Sequence, residues 1–264
     1  RRNGEWMRIS KCAWRMKQIL GTCNGGCFSF TLIKEGDMSY FFQFSEEAGA
    51  FLPKTSGKIF IAVLLILALA VGALSRGREK APRMSVKQLA FSAAALALGM
   101  VTSNIKIWKM PMGGSLTLFS MFFICLIGYL YGTRCGLMAG VAYGLLQLLI
   151  DPYVIGLPQL LLDYPVAFGA LGLSGLMADK KNGLITGYLL GISGRFVVAV
   201  CSGLLFFASS TPETMTPLLY SVLYNGSYIY GEGALTIILL TLPAVKKTFV
   251  RIKGMAVEPL KNAA

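Results

Sequence analysis

The sequence predicts an all-α integral membrane protein, with a six-transmembrane-helix core and one extra N-terminal transmembrane helix. Three observations predict it. Hydrophobic residues make up 55% of the 264-residue chain and charged residues only 14%, against roughly 25% charged in a soluble domain. Seven apolar runs occupy residues 59–74, 86–103, 115–131, 135–150, 158–178, 183–208 and 218–243, each near the roughly 20 residues that a hydrocarbon core about 30 Å thick requires. The basic residues, which give a formal charge of +13, gather in short clusters at the ends of those runs, as membrane topology demands.

Taken in order, residues 1–37 are polar, basic and without periodicity. Lys34-Glu35-Gly36-Asp37 can be encoded by a purine-rich stretch resembling a bacterial ribosome-binding site, at a suitable distance from Met38. Two expectations stand: translation starts at Met38 and residues 1–37 are an over-extended reading frame, or they form a disordered extension. The run 59–74 is closed by Arg76, Arg78 and Lys80 and lacks a convincing small-residue cleavage site. It reads as an anchor helix within a 38–85 segment that ends in a basic linker, and not as a removed signal peptide. The other six runs form a membrane domain over 86–245, with short connections rich in Pro, Gly, Asn and Asp. A basic tail over 246–264 follows.

Charge sets the orientation. Arg76, Arg78, Lys80, Arg83, Lys87, Arg134, Lys180, Lys181, Lys246, Lys247, Arg251 and Lys253 fall on one side, which the positive-inside rule makes cytoplasmic, together with the C-terminus. Lys106, Lys109, Asp151 and Glu213 fall on the other. The same distribution argues against nucleic-acid binding, since no basic groove with interleaved aromatics is present. The chain holds six cysteines and no histidine. Without histidine, Ser-His-Asp and Cys-His catalysis are excluded, and Cys12, Cys23 and Cys27 have no second paired-cysteine motif with which to build a zinc site. Cys125, Cys135 and Cys201 sit in or beside apolar runs, where small thiols are ordinary. No Gly-rich loop ends in Gly-Lys-Ser/Thr, so the chain does not itself hydrolyse nucleotide.

Ionisable and amide groups inside apolar runs are the informative ones, because a charge in hydrocarbon costs several kcal/mol unless paired or hydrated. Asp163, in Leu160-Leu161-Leu162-Asp163-Tyr164-Pro165, lies a turn or two inside its run on the outward side. It is either a packing carboxylate or the lining of an outward-facing pocket. Arg195, midway along 183–208, is its natural structural partner, and its depth favours scaffold over substrate contact. Near the outer surface cluster Pro212, Pro217, Tyr220, Tyr224, Asn225, Tyr228 and Glu232. Tyr220, Tyr224 and Tyr228 are four residues apart and share one helix face, either as an interfacial aromatic belt or as pocket lining. Asn225 offers a donor and an acceptor, as an aminopyrimidine requires, and Phe207 supplies an aromatic face. Together these residues suggest a site for a flat, nitrogen-rich, possibly cationic molecule. In the run 86–103, Ala90 and Ala94, and Ala93 and Ala97, are four apart, which permits close helix approach, inside the subunit or against a partner.

Three stretches carry a family resemblance. The first is Lys109-Met110-Pro111-Met112-Gly113-Gly114-Ser115-Leu116-Thr117-Leu118. The second is Asp151-Pro152-Tyr153, then Pro158-Gln159 and Leu162-Asp163-Tyr164-Pro165-Val166-Ala167-Phe168-Gly169. The third is Arg195-Phe196, Ser202-Gly203, Phe206-Phe207, Pro212-Glu213 and Tyr220-Ser221, ending in Tyr224-Asn225-Gly226-Ser227-Tyr228. In this order they resemble the thiamine-specific S-components of energy-coupling-factor (ECF) vitamin transporters. The resemblance implies a non-enzymatic vitamin-binding subunit of the bacterial plasma membrane, without a cofactor of its own. It implies docking on a membrane scaffold subunit and two ATPase subunits, partly through Ala90, Ala94 and Ala97. It carries substrate binding to Asp163, Tyr164, Tyr220 and Asn225, with Phe207 and Trp108 as ring-covering aromatics. Ala199 and Phe207 stand where some members have histidine and tryptophan against the thiazolium ring, which leaves open a ligand such as the hydroxymethylpyrimidine precursor of thiamine.

Overall fold

The computed structural model describes residues 42–45, 50–60, 63, 85–212 and 214–257. The extension 1–37 and most of the expected anchor helix 59–74 lie outside the described residues; of the latter, residues 59, 60 and 63 are helical. Just before it, β1 (Phe42–Ser45) and β2 (Ala50–Pro53) pair antiparallel, with Phe42 opposite Pro53.

Each of the six core runs carries a helix. α1 (Val86–Ser103) starts at a capping box, in which Ser85 Oγ accepts from the Gln88 N–H and Gln88 Oε1 accepts from the Ser85 N–H. That exchange satisfies two of the donors a helix start leaves open. α2 (Ser120–Tyr131) and α3 (Thr133–Ile150) are joined by Gly132 alone, at φ +87°, where a side chain would be strained. The fourth element, α4 (Leu157–Met177), is followed by α5 (Gly183–Phe206) and α6 (Pro217–Thr241). α1, α3, α4 and α5 are each long and apolar enough to cross a membrane, and α2 is a shorter apolar helix. α6 passes the same test together with α7 (Pro243–Val257), from which an 87° bend separates it.

The bend sets the course of the basic segment that follows. Pro243 has no N–H with which to continue the α6 ladder, and the chain turns across the end of the bundle as an amphipathic helix. Phe249 packs edge-on against Phe122 at 5.1 Å, and Lys253 donates to Ala178 O at 3.0 Å while its ammonium sits 4.3 Å over the Tyr129 ring. Lys246 reaches Asn182 Oδ1 at 3.5 Å. The cations of α7 and of the 178–182 turn thus share one end of the bundle, as the charge pattern predicts.

One correction concerns the run 115–131. Its first residues, Ser115–Thr117, form β4, paired antiparallel with β3 (Lys106–Lys109), and the helix begins only at Ser120. Another concerns the run 158–178, read as one helical segment. α4 runs through an α-helical turn (Leu157–Leu161), a π-helical turn (Leu162–Val166), a further α turn (Ala167–Ala170) and a 3-10 turn (Leu171–Met177). Pro165 is the cause: it removes one backbone donor and its ring displaces the preceding turn.

The core lies between α2, α3, α4 and α5, with Met121, Ile124, Ile127, Tyr143, Leu148, Leu171 and Ile192 at most 1% exposed. Outward-facing residues are also apolar, among them Val86, Leu98, Val101, Val197, Leu205 and Ile238. A surface as apolar as the interior is what lipid, and not water, selects.

Candidate binding pocket

The pocket opens at the end of the bundle opposite α7. Its walls are the β3–β4 hairpin, the 151–156 loop, the start of α4, the last turns of α5 and the first half of α6. Asp163, Tyr164, Phe207, Tyr220 and Asn225 all line it; Trp108 does not, standing 60% exposed on β3.

The π turn places Asp163 and Tyr164. α3 packs so closely on it that a Cβ on Gly144 would collide with Tyr164 O, so the two helices touch backbone to backbone. Asp163 Oδ2 accepts from Gln159 Nε2 at 2.6 Å. Gln159, 1% exposed, is itself fixed: its Nε2 also reaches Tyr153 O at 3.2 Å and its Oε1 accepts from the Ile155 N–H at 3.1 Å. The Tyr164 hydroxyl accepts from the Tyr153 N–H at 2.6 Å and donates to Asp151 O at 3.2 Å. Tyr164 therefore clamps the 151–155 loop with its hydroxyl and presents its ring to the cavity. Tyr153, so held, stacks on Phe207 with centroids 6.2 Å apart, and burial raises its phenol above the ordinary value, which keeps it neutral.

Arg195 corrects an expectation. Among the described residues it forms no ion pair with Asp163; its guanidinium lies 4.1 Å over the Phe168 ring and lines the pocket. Ala199 and Ser202 follow at the spacing of one helix face, and both line the cavity. Ser202 Oγ is buried on the side of the cavity that faces the Asp163 carboxylate.

On α6 the three tyrosines form a ladder, Tyr220 to Tyr224 and Tyr224 to Tyr228, each with centroids 5.9 Å apart. Asn225 is largely engaged inside the protein. Its Nδ2 reaches Ser221 O at 3.0 Å, Ser221 Oγ at 3.3 Å and Ala199 O at 3.3 Å, and its Oδ1 accepts from the Tyr228 hydroxyl at 2.9 Å. One lone pair on that oxygen remains for a ligand.

α6 also grips the hairpin at two levels. The Tyr224 hydroxyl accepts from the Gly114 N–H at 3.0 Å and donates to Pro111 O. Two turns deeper, Glu232 Oε2 accepts from Thr117 Oγ1 at 2.6 Å, and Oε1 from the Met121 N–H at 2.9 Å and Ser120 Oγ at 3.3 Å. At the mouth, Lys106 pairs with Asp151.

The residues that sequence reasoning left out of the site are chiefly Tyr153, Gln159, Arg195 and Ser202. Arg195 and Ser202 had a usable signal, being polar residues on one face of an otherwise apolar run. Tyr153 and Gln159 had none, because loop geometry brings them in.

Comparison with known proteins adds the following. Residues 89–251 match the family model described as thiamine transporter protein (Thia_YuaJ). The thiamine transporter ThiT of Bacillus subtilis (strain 168) is 34% identical over 165 residues, which cover 57% of this chain and 84% of that one. A solved structure of ThiT from Listeria monocytogenes superposes with a TM-score of 0.50 at 23% identity, over 61% of this chain and 96% of the other. At that identity the superposition speaks for the fold alone.

Proposed function

The chain belongs to the thiamine transporter family, and from that premise we propose that it is the substrate-binding S-component of an ECF-type transporter, capturing thiamine from outside for ATP-driven uptake by partner subunits. The observation that carries the reading is the pocket: a carboxylate and stacked aromatic rings converge in a membrane-embedded cavity that opens away from the cationic end. A cationic ring with an aminopyrimidine needs those two kinds of partner, a charge-assisted acceptor and π-faces.

In this reading Asp163 accepts from the exocyclic amine, and Asn225 contributes its remaining lone pair. Tyr164, Tyr220 and Phe207 supply ring faces, and Trp108, on the hairpin outside the cavity, covers the ligand from the mouth. The cationic end is cytoplasmic and the membrane is the bacterial plasma membrane. The exposed Ala90, Ala94 and Ala97 on α1 permit close approach of a scaffold helix, and ATP is used only by two further subunits bound to that scaffold. The chain needs no cofactor.

The experiment is uptake of labelled thiamine by cells expressing this chain with and without the scaffold and ATPase subunits. Accumulation only on co-expression is expected; accumulation by this chain alone would overturn the S-component assignment.

A further inference from the structure

α7 carries four cations, Lys246, Lys247, Arg251 and Lys253, and no acidic residue. Its two faces differ. Val245, Phe249, Ile252 and Ala256 recur every three or four residues, so they share one face, which Phe249 seats on Phe122 and in which Ala256 is buried. Lys253 is sealed on the same side, against Ala178 O and the Tyr129 ring. Lys247 and Arg251, four residues apart, stand on the opposite face, with Val250 and Met255 exposed beside them. Lys246, Lys247, Val250 and Arg251 line one shallow depression there. Through Lys246 and Asn182 this face adjoins the 178–182 turn, which adds the exposed Lys180 and Lys181 against a single carboxylate, Asp179. Among the described residues none of these cations is in an ion pair.

Like charges four residues apart on a helix repel, so this face is eased by an anion supplied from outside. The exposed valine and methionine indicate its kind. An acidic soluble surface is met by charge alone, whereas cations interleaved with apolar side chains fit the boundary between headgroups and acyl chains. The 87° bend supplies the orientation: with α6 crossing the bilayer, α7 lies along its surface. Ile238 and Leu242, exposed at the end of α6, carry the lipid-facing surface up to it. We propose that the outer face of α7, centred on Lys247 and Arg251, binds the phosphodiester headgroups of anionic phospholipids in the adjoining leaflet, with Val250 and Met255 against the acyl chains. With that end cytoplasmic, as in the functional reading above, the leaflet is the anionic one. The inference rests on the membrane placement in that reading and not on its ligand.

Native mass spectrometry of the detergent-purified full chain, titrated with phosphatidylglycerol or with phosphatidylcholine, gives the Kd of the first lipid bound. Each cation at an anionic surface contributes about fivefold in affinity. Wild type is therefore expected to bind phosphatidylglycerol about tenfold or more tightly than phosphatidylcholine. In the double variant K247Q/R251Q the two lipids should bind within about twofold of each other. K180Q/K181Q removes the same charge from the adjoining turn and should keep a preference of about fivefold or more. All three side-chain faces concerned are exposed, so the variants should melt with wild type. The thiamine Kd of the same samples should stay within about twofold, since the pocket opens at the other end of the bundle. Equal binding of the two lipids by wild type would leave the face to a soluble acidic partner, and equal loss in both variants would make it a diffuse cationic end; either result overturns the inference. A wild type that prefers phosphatidylglycerol but binds no thiamine overturns the functional reading and supports the lipid site.

Discussion

Replacing Asp163 with Asn separates the two roles a membrane carboxylate can have. The side chain keeps its shape and one oxygen. Gln159 Nε2, now 2.6 Å from Asp163 Oδ2, can still donate to that oxygen, and Gln159 remains tied to Tyr153 and Ile155. The scaffold of the π turn is therefore preserved, and the melting temperature is expected to shift by no more than about 3 °C, the equivalent of less than about 1 kcal/mol for a domain of this size. What is lost is the charge offered to the ligand. A hydrogen bond to a charged partner contributes about 1–3 kcal/mol, so the thiamine Kd should rise by about fivefold to a hundredfold. Arg195 is not paired with Asp163 and does not add to this change through a broken ion pair. Titration of intrinsic fluorescence, with a thermal melt of the same sample, reads both quantities. Unchanged affinity together with a melting temperature lower by 6 °C or more would make Asp163 a packing residue and refute the reasoning.

The Tyr224→Phe substitution removes the hydroxyl that joins the hairpin to α6 at Gly114 and Pro111. The loss of about 1–2 kcal/mol of hairpin attachment should speed thiamine release by about tenfold in stopped-flow measurements; an unchanged release rate would mean that the hairpin does not retain the ligand. Ala94→Leu places a bulky side chain on the exposed face of α1, which should leave binding within about twofold while abolishing energised uptake. Loss of both would place Ala94 in the subunit's own packing, and loss of neither would make the face purely lipid-facing.

The helical core was legible because bilayer thickness fixes the length of an apolar run, and the six runs from residue 86 onward carry helices close to their expected limits. The hairpin was not. Lys106–Lys109 and Ser115–Thr117 are too short for alternation to register, and a bulge between Lys106 and Trp108 breaks it further. The break in α4 follows from Pro165, but its π geometry depends on α3 packing against Tyr164 O, which no local pattern encodes. The bend before α7 had a visible cue in Pro243; the apolar residues that seat the helix, Phe249 above all, are sparse among lysines. In the pocket, Asp163 and the α6 tyrosines could be singled out because polar groups in hydrocarbon are conspicuous. Glu232 was visible in the same way, yet its depth and its three hydrogen-bond partners depend on how α6 meets the start of α2. The expected Asp163–Arg195 pair failed because an arginine beside an aromatic ring has an alternative that sequence separation does not reveal: the face of Phe168.

The central claim, that this pocket binds thiamine, is tested most directly by isothermal titration of the detergent-purified chain with thiamine. One-to-one binding with a sub-micromolar Kd, about −8 kcal/mol or stronger, is the predicted result. A flat thiamine titration beside clear binding of hydroxymethylpyrimidine would contradict it.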